Sequence, residues 1–334
     1  MRLLVLGGTE FVGRAVVEDA LARGWEVDVF HRGRHPVPAG ARELLGDRTV
    51  EGGLDSLRNS ASWDLVVDTW SWAPRAVRDS AALLADRAER YAYVSSASVY
   101  AFTPPTGTDE ARPTVAGDPD AGEVEYAQAK RGGELAATAA FGAERTLLLR
   151  AGLIVGPYEN VGRLPWWLTR IARGGDVLAP GPSGQGLQYV DARDLAAFTL
   201  DAAVGGRFGA YNTVSVPGFT TTGELLDTAV ELVNPHGARL VWAHPERIAA
   251  AGIAPWTELP LWLPRGEDYE SLMTLDTRRA HAAGLRCRPV AETVADTWAW
   301  LRSLGGEAPQ RPDRARKGVA PEVEARVLAE VLGG

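Results

Sequence analysis

RLLVLGGTEFVGR, residues 2–14, decides how the rest of the chain is read. Leu3, Leu4, Val5 and Leu6 form a short apolar run of the kind found in buried parallel strands. The run stops at Gly7-Gly8, and Phe11, Val12, Ala15, Val16, Ala20 and Leu21 then recur at helical spacing. Strand, glycine turn and helix in direct succession make a phosphate-binding corner. The helix start presents N–H groups without intrahelical partners and a partial positive charge. Glycine lets the backbone approach a pyrophosphate, and Gly13 lets the helix pack closely on the strand. Gly7, Thr9, Glu10, Phe11, Val12 and Gly13 are therefore the expected dinucleotide contacts of this turn. Glu10 stands where a middle glycine would belong, so its carboxylate must point away from a bound pyrophosphate.

Further strands and helices follow in alternation. EVDVFH (26–31) is a second strand, Arg42–Leu45 leads to a third that ends in Gly46-Asp47-Arg48, and DLVVDT (64–69) is a fourth. A helix over 74–90 precedes a fifth strand, RYAYVS (90–95), and a helix over about 125–141 precedes a sixth, TLLLR (146–150). This alternation predicts an α/β fold, a Rossmann-type doubly wound parallel sheet with a smaller C-terminal substrate lobe. The dinucleotide-binding domain is expected over 1–155 plus about 187–214. The lobe is expected over about 156–186 and 215–304, with a linker and helix at 305–334.

Composition narrows the function classes. Apolar residues make up 46% and charged residues 23%, an ordinary globular balance. A net charge of −8 disfavours a general nucleic-acid surface. The single cysteine, Cys287, permits no internal disulfide and fits a reducing cytoplasm. Neither a secretory leader nor a membrane span is expected, since no apolar run approaches the ~20 residues a span requires. The five histidines are scattered without metal-ligand spacing, so no metal site is expected.

Two further stretches carry chemistry. Tyr126-Ala-Gln-Ala-Lys130 puts a phenol and an ammonium on one helix face, where the cation stabilises the phenolate. Such a pair exchanges a proton with an alcohol or carbonyl oxygen. Ser95-Ser96-Ala-Ser-Val-Tyr100 follows the fifth strand, at the sheet edge where ligands bind. Taken in order with the glycine turn, these stretches resemble the extended short-chain dehydrogenases/reductases of the NAD-dependent epimerase/dehydratase type, in an atypical branch, over roughly residues 1–300. The resemblance implies catalytic roles for Ser96, Tyr126 and Lys130, with Lys130 also holding the nicotinamide ribose. It implies an adenine contact at Asp47, and it adds Arg48 and Trp70 to the cofactor-binding set. Leu149 to Pro157 and Tyr189 to Leu195 match later blocks of that family. The branch also includes plastid proteins that bind RNA stem-loops.

Departures from that pattern shape the expected substrate and cofactor. NAD-type members end the second strand in an acid, whereas this chain has His31 followed by Arg32 and Arg34. Cations there suit a 2′-phosphate, so NADP is preferred and NAD possible; the bland alternative is that Arg32 and Arg34 are solvated loop cations. Sugar-nucleotide epimerases carry an asparagine after the sixth strand and an arginine clamp before Tyr189. Here Leu153-Ile-Val-Gly-Pro157 and Leu187-Gln188 stand in those places. Arg163 and Arg170 offer a substitute clamp or are ordinary surface cations. Among the eleven tryptophans, Trp72, Trp166 and Trp262 either pack the core or, with Ser98, wall an apolar or aromatic substrate pocket. A homodimer through the helices near 75–90 and 125–141 is plausible. The expected activity is NAD(P)-dependent interconversion of a carbonyl and a secondary alcohol on a small molecule. The rivals are a cofactor-retaining epimerase or dehydratase of a nucleotide-activated sugar, and a non-catalytic nucleotide- or RNA-binding protein.

Overall fold

The computed structural model describes residues 1–60, 62–101, 106–234, 236–307, 309–311 and 315–333. In chain order the elements are β1 (Arg2–Leu6), α1 (Phe11–Ala22), β2 (Glu26–His31), β3 (Arg42–Leu45), α2 (Asp55–Arg58), β4 (Trp63–Asp68), α3 (Pro74–Leu84), β5 (Ala88–Ser96), α4 (Tyr126–Phe141), β6 (Thr146–Ala151) and β7 (Ile154–Val155). They continue with α5 (Arg163–Ala172), β8 (Gly175–Pro180), β9 (Gly186–Leu187), β10 (Val190–Asp191), α6 (Ala192–Val204), β11 (Gly209–Thr213), β12 (Thr220–Thr221) and α7 (Thr222–Val233). The last are β13 (Ala238–Ala243), α8 (Pro245–Ala250), α9 (Glu267–Met273), α10 (Arg278–Ala282), α11 (Val290–Ser303) and α12 (Pro321–Gly333).

The main sheet has seven strands in the order β11-β6-β5-β4-β1-β2-β3, all parallel. Its central strands are apolar on both faces because helices cover both: Leu3, Leu4, Val5 and Leu6 are fully buried. From β1 the chain steps one way to β2 and β3 and the other way to β4, β5 and β6. The order therefore reverses between β1 and β4, the switch point beyond whose carboxyl ends open α/β sheets bind their ligands. Both glycine turn and serine motif end on this edge.

The chain divides into two compact units. The first comprises 1–152, 192–214 and 275–286; the second comprises 153–191, 215–274 and 287–334. The segment 275–286, expected in the lobe, belongs to the first unit: Asp276 O accepts from the Asn212 side chain beside β11 (2.9 Å). Residues 187–191 go the other way, into the second unit. The core of the first unit gathers Leu4, Leu6, Phe30, Tyr91, Tyr93 and Phe141.

The second unit has its own core, around Trp167, Trp262, Leu225, Leu259 and Val294. A parallel pair, β8 with β13, adds two strands to this unit. Glycines and prolines flank GDVLAP, and its partner strand begins only at Ala238, so no local signal announces the pairing. The tail belongs to this unit. Val327 and Leu328 of α12 are buried, each contributing about 1.5–3 kcal/mol relative to exposure. Buried Glu324 accepts from Arg170 Nε (2.7 Å) and from the amide of Leu178 on β8 (3.1 Å). No helix among the described residues is long and apolar enough to cross a membrane.

Candidate active site

Gly7 turns the chain out of β1 with φ +96°, and its amide donates to Phe30 O on β2 (3.0 Å). A Cβ on Gly13 would come within 2.0 Å of Gly7 O, so only glycine lets α1 sit this close to the turn. The helix start has no side-chain cap and no acid in its first turn. Its N–H groups and positive pole are left to an anionic group, which fits the pyrophosphate of a dinucleotide. Thr9, Phe11 and Val12 lie along this start, and Phe11 takes a left-handed φ of +39°. Glu10 reaches His35 (3.5 Å), on the loop after β2, so its carboxylate is drawn sideways.

Ser96 ends β5, and its Oγ accepts from Ser98 N (3.1 Å) and donates to Ser98 Oγ (3.2 Å). This caps a short 3₁₀ turn over Ala97–Val99. Tyr126 is the first residue of α4 and is 39% exposed. One turn on, Lys130 is 2% exposed; its Nζ donates to Trp70 O (2.6 Å) and Val94 O (2.6 Å). The ammonium thus sits where β4 and β5 end. Burial pushes the phenols of neighbouring Tyr91 and Tyr93 well above their ordinary pKa, and that of Tyr100 up to about 12. These three stay neutral donors, whereas Tyr126 reaches the surface.

A buried network lies under the serine motif. Glu134, one turn beyond Lys130, is fully buried and accepts from Ser95 Oγ (2.8 Å) and from Arg150 Nε (2.9 Å) on β6. The Arg150 guanidinium lies over the Tyr100 ring at 5.0 Å, and Tyr100 donates to Asn212 Oδ1 (2.5 Å). None of these partners is legible in the sequence, although Glu134 is marked by its place on the helix face that carries Lys130.

At the end of β2, His31 turns into the protein. Gly33 N donates to its Nδ1 (3.3 Å), which assigns the proton to Nε2, facing Glu43 Oε1 (2.8 Å). Asp28 is also occupied, held by Arg42 Nε (2.6 Å), Arg2 Nη2 (3.0 Å) and the Trp63 indole (2.7 Å). Neither β2 side chain therefore offers a free carboxylate to a ribose. Arg32 and Arg34 are exposed. They act on Asp47, whose carboxyl is pushed up by desolvation and pulled further down by its hydrogen bonds from Thr49 and by these two cations.

Several expected contacts are placed differently. Arg48, expected in the cofactor-binding set, instead points its guanidinium inward and grips Asp68 through Nη1 (2.7 Å) and Nη2 (2.6 Å). The pull of a fully buried carboxylate explains the direction. Trp70 packs under that guanidinium at 4.6 Å and donates from Nε1 to Ala73 O (3.0 Å). Trp72 is partly exposed in the first unit; Trp166 and Trp262 lie in the core of the second. Arg163 is tied to Glu159 (3.0 Å) and Ile154 O (2.8 Å), and Arg170 to Glu324, so neither is a free anion clamp. Among the described residues no group of three or more His, Cys, Asp or Glu side chains is arranged to hold a metal ion.

Residues 74–212 match the model of the NAD dependent epimerase/dehydratase family. Over that span the chain is similar to this family of enzymes. The matched span takes in Ser96, Tyr126 and Lys130. No curated protein matches the sequence. In fold, the chain is similar to the Thermus thermophilus UDP-glucose 4-epimerase in complex with NAD, at 23% identity and a TM-score of 0.63 over 90% of this chain and 99% of that one. It is also similar to the Bordetella bronchiseptica enzyme WbmH in complex with NAD+, at 19% identity and a TM-score of 0.67, over 91% and 99%. A third similar structure is MoeE5 in complex with UDP-glucose and NAD, at 20% identity and a TM-score of 0.63, over 91% and 99%.

Proposed function

We propose that this protein is a cofactor-retaining epimerase or dehydratase that acts at a secondary alcohol carbon, with nucleotide-activated sugars as the first substrate class to test. The observation that carries the reading is the Lys130 ammonium seated on the carbonyls of Trp70 and Val94, at the end of the strand that carries Ser96 and one helical turn from Tyr126. Fold relatives that bind UDP-glucose and NAD support the substrate class.

Gly7, Gly13 and the start of α1 hold the cofactor pyrophosphate; Lys130 holds the nicotinamide ribose. The cofactor, when bound, supplies the acceptor and later the donor of the hydride. Tyr126 takes the proton from the substrate hydroxyl as the carbonyl forms, and returns it in the reverse half. Ser96 hydrogen-bonds the same oxygen and orients it. Lys130 favours the phenolate by its charge. The diphosphate of a nucleotide sugar is held by groups other than Arg163, Arg170 and Leu187, since the two arginines are already paired.

A second reading, a reductase that consumes NADPH on an apolar or aromatic carbonyl compound, is favoured by the exposed Arg32 and Arg34 beside an inward-facing His31. Purified protein with a panel of nucleoside-diphosphate sugars and substoichiometric NAD or NADP tests both. Product formed without net change in the absorbance of the reduced nicotinamide supports the epimerase or dehydratase. No product, together with stoichiometric NADPH loss on carbonyl compounds, moves the assignment to the reductase.

A further inference from the structure

The Lys130 ammonium depends on a carbonyl, and that carbonyl has an unusual foundation. Trp70 follows the end of β4, and its O accepts from Lys130 Nζ (2.6 Å) and from Tyr93 Oη (3.0 Å). The residue is pinned on three sides. Its amide donates to Asp68 Oδ1 (2.9 Å), its indole donates to Ala73 O (3.0 Å), and its ring face lies under the Arg48 guanidinium (4.6 Å). Arg48 in turn donates to both oxygens of Asp68 and to Ser80 Oγ on α3 (3.1 Å). Tyr91 donates to Asp68 Oδ2 (2.6 Å). Arg48, Asp68 and Ser80 are all buried. A buried guanidinium with a fork geometry matched to a carboxylate fixes direction as well as charge.

We propose that Arg48 is a positioning residue for Lys130: with Asp68 it locks the Trp70 turn, so that the Trp70 carbonyl holds the ammonium at the β4–β5 edge. Arg48 thus serves the nicotinamide end of the site from the exit of β3. This rests on the reading of Lys130 as a group that holds cofactor, and it adds the device that holds Lys130.

The sequence supplies a direct test. Lys130 and Lys317 are the only lysines in the chain. Lys317 donates to Trp256 O in the second unit and serves as an internal reference. The full-length protein is treated with trace acetic anhydride, and the labelling rates of the two lysines are read by mass spectrometry. In the wild type Lys130 reacts slowly relative to Lys317. Arg48→Gln is expected to raise the Lys130 to Lys317 ratio severalfold, with a circular dichroism spectrum unchanged. Arg48→Lys, which keeps the charge and loses the fork, is expected to rescue the ratio only in part. Should Arg48→Gln fail to fold, Trp70→Phe, which loses the Ala73 bond and weakens the stacking on Arg48, is expected to raise the ratio to a smaller degree.

An unchanged ratio in a folded Arg48→Gln or Trp70→Phe protein overturns the proposal. NADPH and NADH titrations of Lys130→Ala, run beside it, separate the underlying reading. If Lys130→Ala binds cofactor as tightly as the wild type, Lys130 does not hold the ribose. The labelling ratio still decides whether Arg48 positions it.

Discussion

The two ends of the proposed dinucleotide site are built on opposite principles. At the exits of β4 and β5, three charged groups are buried and held by partners: Lys130 by two carbonyls, Asp68 by Arg48, Glu134 by Arg150. At the exits of β2 and β3, Arg32 and Arg34 are exposed and Asp47 is only partly covered. The first end is preorganised in a low-dielectric environment, where a misplaced charge is costly. The second is solvated, where charges interact weakly and can be exchanged with little effect on folding. In the proposed function, reaction chemistry is assigned to the first end and choice of cofactor to the second.

The largest effect expected from breaking this contrast comes from Tyr126→Phe. It removes the proton carrier and leaves the buried frame intact, so turnover should fall by about 10²–10⁴-fold while cofactor affinity, read by tryptophan quenching, hardly moves. Retained turnover would falsify the catalytic assignment of Tyr126. Next in size is Asp68→Asn, which leaves the Arg48 cation buried without its counter-ion. Urea denaturation should show a loss of about 3–5 kcal/mol.

The same pair carries a pH signature. Burial alone would raise the Asp68 carboxyl, but the Arg48 charge and hydrogen bonds, with those of Tyr91 and Trp70, outweigh it and hold the group below its ordinary value. A depressed carboxylate stabilises the fold above its unfolded pKa of about 3.9, and the contribution is lost as pH falls through the folded value. The stability gap between wild type and Asp68→Asn should therefore be constant near neutrality and shrink only below about pH 4. Urea midpoints followed from neutral pH down into the acid range check this, and a gap that closes well above the carboxylate range would assign the effect to another group.

At the open end the effects are smaller. Replacing Arg32 and Arg34 together by Ser should weaken NADPH by about tenfold or more, as expected for lost charge-assisted bonds, and leave NADH nearly unchanged. Equal loss for both cofactors would remove the 2′-phosphate role. The smallest change is expected for Glu10→Gly. The Glu10 carboxylate is already drawn towards His35 in an exposed pair, so cofactor affinity should shift by less than about fivefold. A large gain would mean that Glu10 opposes the pyrophosphate after all.

The chain path, the glycine turn and the spacing on α4 are legible in the sequence. The apolar run of β1, Gly7 and Gly13, and the pairing of Tyr126 with Lys130 on one helix face all follow from local periodicity and the steric needs of glycine. The buried end resisted reading because its partners are distant in the chain. Arg48 meets Asp68, Trp63 meets Asp28 and Lys130 meets Trp70 only after the sheet has formed. A cation beside a cofactor motif looks like a cofactor ligand until a buried carboxylate is seen to claim it. The same holds in the second unit, where Arg170 is claimed by Glu324 of the tail, and where β8 finds β13 across intervening helices.

What the amino-acid sequence determined by itself is the alternating α/β order, the glycine turn at the start of α1 and the residue types of the proposed catalytic set. These depend on neighbours within a turn or a strand, where spacing alone sets the geometry. Tertiary structure alone decided which charges are spent on the fold and which face solvent: Arg48, Arg150, Arg163 and Arg170 inward, Arg32 and Arg34 outward. The physical reason is that a charge is buried only where an opposite charge and hydrogen-bond partners meet it, and those partners are brought together by folding rather than by sequence.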